Sequence, residues 1–209
     1  MLFGSEAADG GVAMFSEAKQ IHEQLEHLAD AMELEGAERL DLVVCGGAGL
    51  QVLGLVERAT RDVDVVARVV GGKDCFPEPF SEPLLRAVQR VAEDDGLPKD
   101  WLNAGPAENQ RLGLPEGLLE RCMVRVYGAL LTVRFLSRYD QIHFKLYATV
   151  DSGVGKHLDD LRLLEPNADE LKAAALWSMT HDPSEGYKQM LLELLDLLGF
   201  MDVANELRG

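Results

Sequence analysis

Residues 40–66, LDLVVCGGAGLQVLGLVERATRDVDVV, constrain the fold more than any other stretch of the chain. An apolar run with β-branched residues predicts a buried strand at 41–45, which the following glycine pair ends. A short apolar helix at 48–57 and a turn are expected next, and a second strand follows at 62–69. This succession of strand, glycine turn, helix and strand predicts an α/β fold.

Two carboxylates lie at the start of the second strand. Alternation places Asp62 and Asp64 on one face with Val66, and the opposite face is expected to carry Val63, Val65 and Ala67. Acids that face an apolar environment are costly unless something neutralises them, and a divalent cation is the usual partner. Because the glycines lack side chains, a phosphate can approach their backbone. The stretch therefore predicts a site for a metal ion and a phosphate.

Helical and strand patterns continue on both sides of this stretch. Helical spacing of apolar residues predicts helices at 15–36 and 83–94, and alternation predicts a strand hairpin around Gly128. From residue 137 onward the chain is expected to be helical. The four helices predicted there occupy residues 139–150, 155–164, 169–179 and 183–199.

These elements predict a chain in two parts. Residues 1–136 are expected to form an α/β core of the α+β kind, a small mixed sheet flanked by helices. Residues 1–13 of that part are expected to be loosely held. Residues 137–209 are expected to form a C-terminal helical region that packs on the core.

Charge and cysteine content limit the classes of function. The net charge of −16 argues against nonspecific DNA binding, which needs a cationic surface. Residues 111–145 nevertheless hold six basic and three acidic residues, and we call this segment the basic island. It is either a surface for a polyanionic partner or a set of ordinary arginines on strand surfaces.

The sequence lacks the signals of membrane and secreted proteins. No apolar run reaches the length of about 18 residues that a membrane span needs, and no basic segment precedes an apolar one near the N-terminus. The three cysteines show neither disulfide nor zinc spacing. We therefore expect a cytoplasmic protein that does not associate with membranes.

The glycine pair and the carboxylates belong to one motif. It contains Gly46 and Gly47, followed by RxTxDxD, in which the defined residues are Arg58, Thr60, Asp62 and Asp64. GGAGLQVL…ERATRDVDVV resembles the core motif of the nucleotidyltransferase superfamily, which has the polymerase-β-like fold, and is most similar to its minimal and AbiEii-type branch. Downstream, KLYATVDSGVGKHLDDLRLL resembles the helical motif of that branch at Lys145, Leu146, Ala148, Lys156, Asp160 and Leu161.

The resemblance implies an enzyme that uses Mg²⁺ or Mn²⁺ to move a nucleotidyl group from a nucleoside triphosphate (NTP) to a hydroxyl. The acceptor would be an RNA such as a tRNA end, a protein or a small molecule. Proteins of this branch occur in toxin–antitoxin and phage-defence loci, which implies an antitoxin as a further partner.

The resemblance also assigns roles to residues. Asp62 and Asp64 would bind the metal and act in catalysis with Lys145 and Asp160. Five residues would bind the nucleotide: the two glycines of the motif and three side chains that follow them in the chain. These are Gly46, Gly47, Arg58, Thr60 and Lys145. Arg58 has a second interpretation, as the partner of an acid, and Asp160 has another, as a cap or a pairing residue within the helical bundle.

The sequence departs from the family pattern in ways that leave an alternative open. The first acid of the family's KDxxD is His157 here, and the strands in VRVYGALLTVRFL lack the third carboxylate that two-metal transferases use. The acids that could replace it from the helical part are Asp151, Asp159 and Asp160. The alternative is a non-catalytic regulatory or interaction module that keeps the fold.

Overall fold

The computed structural model describes residues 14–208. It confirms the predicted fold class, since one mixed sheet is flanked by helices and followed by a C-terminal helical region. The prediction for residues 1–13 lies outside the described residues. Among the helices of the described part, none is both long and apolar enough to cross a membrane.

Six strands form the sheet. They are β1 (Leu40–Cys45), β2 (Val63–Val70), β3 (Lys73–Cys75), β4 (Leu102–Asn103), β5 (Met123–Tyr127) and β6 (Leu131–Phe135). The order is β3-β2-β1-β6-β5, and β4 pairs with β2 outside this path. β1 runs antiparallel to β2 and parallel to β6. The predicted hairpin around Gly128 is confirmed as the antiparallel pair β5 and β6.

Helices flank the sheet and follow it. Before β5 they are α1 (Ala18–Glu35), α2 (Gly46–Val52), α3 (Glu82–Asp95), α4 (Glu108–Leu112) and α5 (Leu118–Arg121), with a 3-10 turn at Gly105–Ala107. After β6 they are α6 (Arg138–Ser152), α7 (Lys156–Leu163), α8 (Ala168–His181), α9 (Glu185–Leu197) and α10 (Met201–Arg208). No helix was expected at the position of α10, and α9 begins after Ser184, whose hydroxyl caps it, rather than at Pro183.

One face of the sheet packs on α1 and α3. Buried residues of α1 at helical spacing, such as Ile21 and Leu25, meet Val44 of β1 and Val65 of β2 in the largest apolar cluster. Trp101 is fully buried in the same cluster, and its indole N–H donates to the carbonyl of Val88. This packing fixes the positions of the two strands that carry the predicted site.

The C-terminal helices have a core of their own. Leucines of α9 pack against α6, α7 and α8, and this cluster includes Leu50 of α2 and Val56. The leucine stripe of α9 is therefore largely buried within the chain, and Leu197 at its end is exposed. Through Leu50, the helical region is packed against the helix that follows β1.

A β-bulge changes one prediction about β2. Val43 pairs with Ala67 and Val44 with Val65, so Val66 is an extra residue without a partner on β1. Val63 and Val65 face the α1 side as predicted. Ala67 instead joins Val66 on the opposite side of the sheet. The strict alternation predicted beyond Val65 is wrong because the bulge adds one residue to the strand.

Candidate functional site

A cavity of about 350 Å³ lies where the end of β1 and the start of β2 face α6 and α7. Seven of the eight site residues predicted from the sequence line it, and these are Gly46, Gly47, Arg58, Thr60, Asp62, Asp64 and Lys145. The eighth, Asp160, is not part of the lining. The fold thus brings together residues that are far apart in the chain.

Both glycines of the motif are packed against the residues of RxTxDxD. A Cβ atom at Gly46 would lie 2.5 Å from Oδ2 of Asp64, and one at Gly47 would lie 2.6 Å from Oγ1 of Thr60. Gly46 also has a φ of +73°, which favours glycine. The two positions therefore exclude side chains because the acidic strand passes directly beside them.

The backbone of Gly46 is engaged differently from the prediction. Its N–H donates to Oε1 of Gln141 on α6, at 3.2 Å, so this group is not left to receive a phosphate. The Nε2 of Gln141 is buried and has no hydrogen-bond partner among residues 14–208. Because Gln141 precedes Lys145 by four residues on α6, this hydrogen bond also fixes the helix face that carries Lys145.

The two carboxylates share one wall of the cavity. Asp64 lies opposite Cys45 of β1 and Asn103 of β4, while Asp62 accepts a long hydrogen bond, 3.5 Å, from the hydroxyl of Thr60. Burial and the neighbouring charge of Asp62 raise the pKa of Asp64 above its ordinary value. Among the described residues neither carboxylate belongs to an ion pair, although Lys145 and the exposed Lys156 lie close enough to oppose that rise.

These carboxylates fit a divalent cation, because Mg²⁺ prefers oxygen ligands and would relieve the repulsion between them. In the part of the chain that the structure describes, no three acidic, histidine or cysteine side chains are grouped so that they could hold a metal ion. A cation bound at Asp62 and Asp64 would therefore take its remaining ligands from water and from the phosphates of a substrate.

Asp160 is the shared partner of two cations. Its carboxylate is fully buried and accepts hydrogen bonds from Nε and Nη2 of Arg58, at 2.7 and 2.6 Å. Its Oδ2 also lies 2.7 Å from Nζ of Lys145, whose side chain is 5% exposed. Burial acts to raise the pKa of Asp160, but the hydrogen bonds and charges of both cations outweigh it and lower the pKa. Arg58 and Asp160 thus form an ion pair with each other, and Lys145 shares the same carboxylate.

The three acids considered as a third carboxylate differ in position. Asp160 is held by Arg58 and Lys145, and Asp159 is exposed and outside the cavity lining. Asp151, near the end of α6, is exposed and lines the cavity. Of the three, Asp151 alone faces the same space as the acidic pair.

Two basic residues at the start of α7 belong to the cavity although the sequence analysis did not include them among the site residues. Lys156 is exposed, and His157 is half-buried beside it. Burial, followed by the charges of Lys145 and Lys156, lowers the pKa of His157 to about 4. Both positions fall within the downstream motif, so the motif could have identified them as site residues. Tyr147 and Asn109 also line the cavity, and nothing in the sequence distinguished them.

The basic island is largely neutralised by ion pairs. Five of its six basic residues are paired with an acid, in the combinations Arg111–Glu108, Arg121–Asp140, Arg134–Asp41, Arg138–Glu170 and Lys145–Asp160. Arg134, on β6, is bound to the neighbouring strand rather than to the cavity. The distribution favours ordinary structural arginines over a surface for a polyanion.

Within the described residues the cavity thus combines two acids that belong to no ion pair, two glycines packed against Asp64 and Thr60, and lysines on the facing helices. The lysines suit a phosphate-bearing ligand, and the acids suit its metal ion. Comparisons of the chain with protein-family models, with curated proteins and with solved structures gave no match.

Proposed function

We propose that this chain binds a nucleoside triphosphate together with Mg²⁺ or Mn²⁺ in the cavity and transfers the nucleotidyl group to a hydroxyl. The observation that carries the proposal is the fit of Gly46 and Gly47 against Asp64 and Thr60, in a cavity that Lys145 also lines. A glycine turn that served only as a turn would not need to exclude a side chain at both positions. The motif resemblance, which involves the same residues, implies the same function.

The roles of the residues follow from their chemistry. Asp62 and Asp64 would hold the cation, which supplies charge neutralisation and polarises the phosphate oxygens when bound. Lys145 and Lys156 would offset the charge of the triphosphate and of the leaving pyrophosphate. Asp160 holds Lys145 and Arg58 in place and is a positioning residue in this scheme.

The proposed transfer makes one bond and breaks one. The acceptor oxygen bonds to the α-phosphorus, the bond from that phosphorus to the bridging oxygen breaks, and pyrophosphate leaves with the bonding electrons. The proton of the acceptor hydroxyl passes to solvent or to a base. The protein contributes position and charge neutralisation, which supply most of the acceleration in phosphate-transfer enzymes.

For the hydroxyl acceptor and for the partner protein, the proposal follows the family resemblance. An RNA such as a tRNA end, a protein or a small molecule would supply the hydroxyl, and an antitoxin would be the partner in a toxin–antitoxin or phage-defence system. The ion pairs within the basic island give no support to an extended RNA contact. A protein or small-molecule acceptor is therefore the better supported choice.

A non-catalytic, nucleotide-binding module is the second candidate. The observation that favours it is the position of Asp160, whose two oxygens are occupied by Arg58 and Lys145, so that it does not complete the acidic pair. The burial of the α9 leucines opposes one form of this candidate, because that stripe is not exposed for a partner.

The decisive experiment incubates the protein with each radiolabelled NTP, Mg²⁺, and either total tRNA or the protein and small-molecule fractions of a lysate. We expect label transfer by the wild type and its loss in Asp64→Asn. Asp74→Asn is the matched control, because Asp74 is a partly buried β3 carboxylate outside the cavity. Transfer that survives in Asp64→Asn would refute the site. Nucleotide binding by calorimetry without transfer to any fraction would establish the second candidate.

A further inference from the structure

His157 occupies an unusual position among the residues of the cavity. It is the second residue of α7, lines the cavity, and has a buried Nδ1 without a hydrogen-bond partner in the described part of the chain. In the motif that the sequence resembles, this position carries an acid. The chain therefore places a neutral, protonatable ring where the family pattern has a negative charge.

Cations from three elements surround this ring. Lys145 approaches from α6, Lys156 precedes it on α7, and Arg58 lies on the segment before β2. Asp160 is the acid that faces it, and that carboxylate is already matched by Arg58 and Lys145. Burial keeps His157 neutral, and so does the excess of positive charge that an imidazolium would meet.

We infer that His157 is part of the triphosphate-binding surface and takes up a proton when the nucleotide binds. The inference rests on the proposed function, because it requires a triphosphate in this cavity. The phosphates would pair with Lys145 and Lys156 and so remove the repulsion that opposes protonation. They would also supply hydrogen-bond acceptors within the cavity that His157 lines.

Proton uptake makes the affinity for nucleotide depend on pH. Without nucleotide the pKa of His157 is about 4, below its ordinary value of 6.5. A group whose pKa rises on binding strengthens binding at low pH, and this contribution is lost as the pH rises through the pKa of the complex. One linked proton weakens the affinity by up to about tenfold per pH unit between the two pKa values.

The test follows the His157 ring by NMR between about pH 3 and 8, a range that spans the titration with and without nucleotide, in the full chain. Spectra are recorded with Mg²⁺ alone and with Mg²⁺ plus a saturating α,β-methylene NTP analogue, which cannot be cleaved at the transfer position. His157→Asn assigns the resonance. Calorimetry in two buffers of different ionisation enthalpy counts the protons taken up, and His27→Gln, at an exposed histidine of α1, is the control.

We expect the analogue to raise the pKa of His157 by at least about one unit, with proton uptake that persists in His27→Gln and disappears in His157→Asn. If the analogue saturates the protein while His157 titrates as before, the inference is wrong and the proposed function stands. If no analogue binds at any pH, both are wrong. If His157→Asn does not fold, through-bond NMR correlations assign the His157 ring in the wild type, and its titration decides the matter.

Discussion

Lys145 and Asp160 form a buried ion pair, with Nζ of the lysine 2.7 Å from Oδ2 of the acid. The two residues lie on consecutive helices, α6 and α7, and Arg58 binds the same carboxylate from the segment before β2. One buried acid therefore joins the helical region to the strand that carries Asp62 and Asp64. This arrangement makes Asp160 an organiser of the cavity, and several consequences of it are measurable.

Asp160→Asn should separate folding from binding when it is compared with Asp140→Asn. Both aspartates are fully buried and accept two hydrogen bonds from an arginine that is about one-third exposed, Arg58 or Arg121. Loss of one partner from a buried ion pair costs about 3 kcal/mol, so we expect both variants to lose stability in chemical denaturation. Asp160→Asn should lose more, because it also leaves the buried Lys145 without its acid. Only Asp160→Asn should also weaken nucleotide binding, measured by calorimetry. Equal effects of the two variants on binding would contradict the positioning role.

Gly46→Ala and Gly54→Ala form a second matched pair. Both glycines have a positive φ, +73° and +68°, but a Cβ at Gly54 meets nothing within 4 Å. Each substitution should cost about 1 kcal/mol of stability for the backbone conformation. At Gly46 the new methyl group must also displace the carboxylate of Asp64. We therefore expect only Gly46→Ala to abolish binding of Mg²⁺ and nucleotide. Retention of binding in that variant would show that Asp64 is not needed at its present position.

Asp64→Asn should stabilise the protein in the absence of divalent cations. Because burial and Asp62 raise the pKa of Asp64, its ionisation destabilises the folded state at neutral pH. The variant should melt about 2–4 °C above the wild type, as expected for about 1 kcal/mol. The difference should shrink as the pH falls through the folded-state pKa towards that of the unfolded chain.

Millimolar Mg²⁺ should reverse this ranking. Binding to the paired carboxylates would raise the melting temperature of the wild type, whereas Asp64→Asn should show little response. Asp74→Asn should respond as the wild type does, because Asp74 lies outside the cavity. Equal responses to Mg²⁺ in the wild type and Asp64→Asn, measured by calorimetric melting, would place the metal elsewhere.

Lys156→Met should weaken nucleotide binding without a change in stability. The side chain is exposed and lines the cavity, so its removal leaves no buried charge behind. We expect a loss of affinity of about tenfold at low salt, which becomes smaller as salt screens the interaction. Lys19→Met, at an exposed lysine on α1, is the control. An unchanged affinity at low salt would exclude Lys156 from the phosphate-binding surface.

The fold and the acidic wall of the cavity could be predicted because their signals are local. β1, the glycine turn and β2 follow one another directly, so that hydrophobic pattern and turn chemistry place Gly46, Gly47, Asp62 and Asp64 at one end of the sheet. The bulge at Val66 could not be predicted in this way. It depends on how β2 pairs with β1, which the pattern of β2 alone does not contain.

Contacts between residues far apart in the chain were the second thing that the sequence could not predict. The spacing of the downstream motif places Lys145 and Asp160 on helices, but it cannot distinguish a residue that binds a ligand from one that binds another residue. That distinction arises because α7 packs beside Arg58, which leaves both oxygens of Asp160 engaged. In the same way, the hydrogen bond from Gly46 to Gln141 depends on how α6 packs against the sheet, and no local sequence pattern predicts it.

The acidic and the basic wall of the cavity are synthesised at different times, because they lie far apart in the sequence. A ribosome completes the acidic wall, Asp62 and Asp64, well before it adds Lys145 on α6 and Lys156 on α7. A nascent chain that has folded its first strands therefore presents two acids and lacks the lysines that would balance a triphosphate. In the proposed scheme the cavity becomes competent only after translation has passed α7, so that nucleotide chemistry is withheld from unfinished chains.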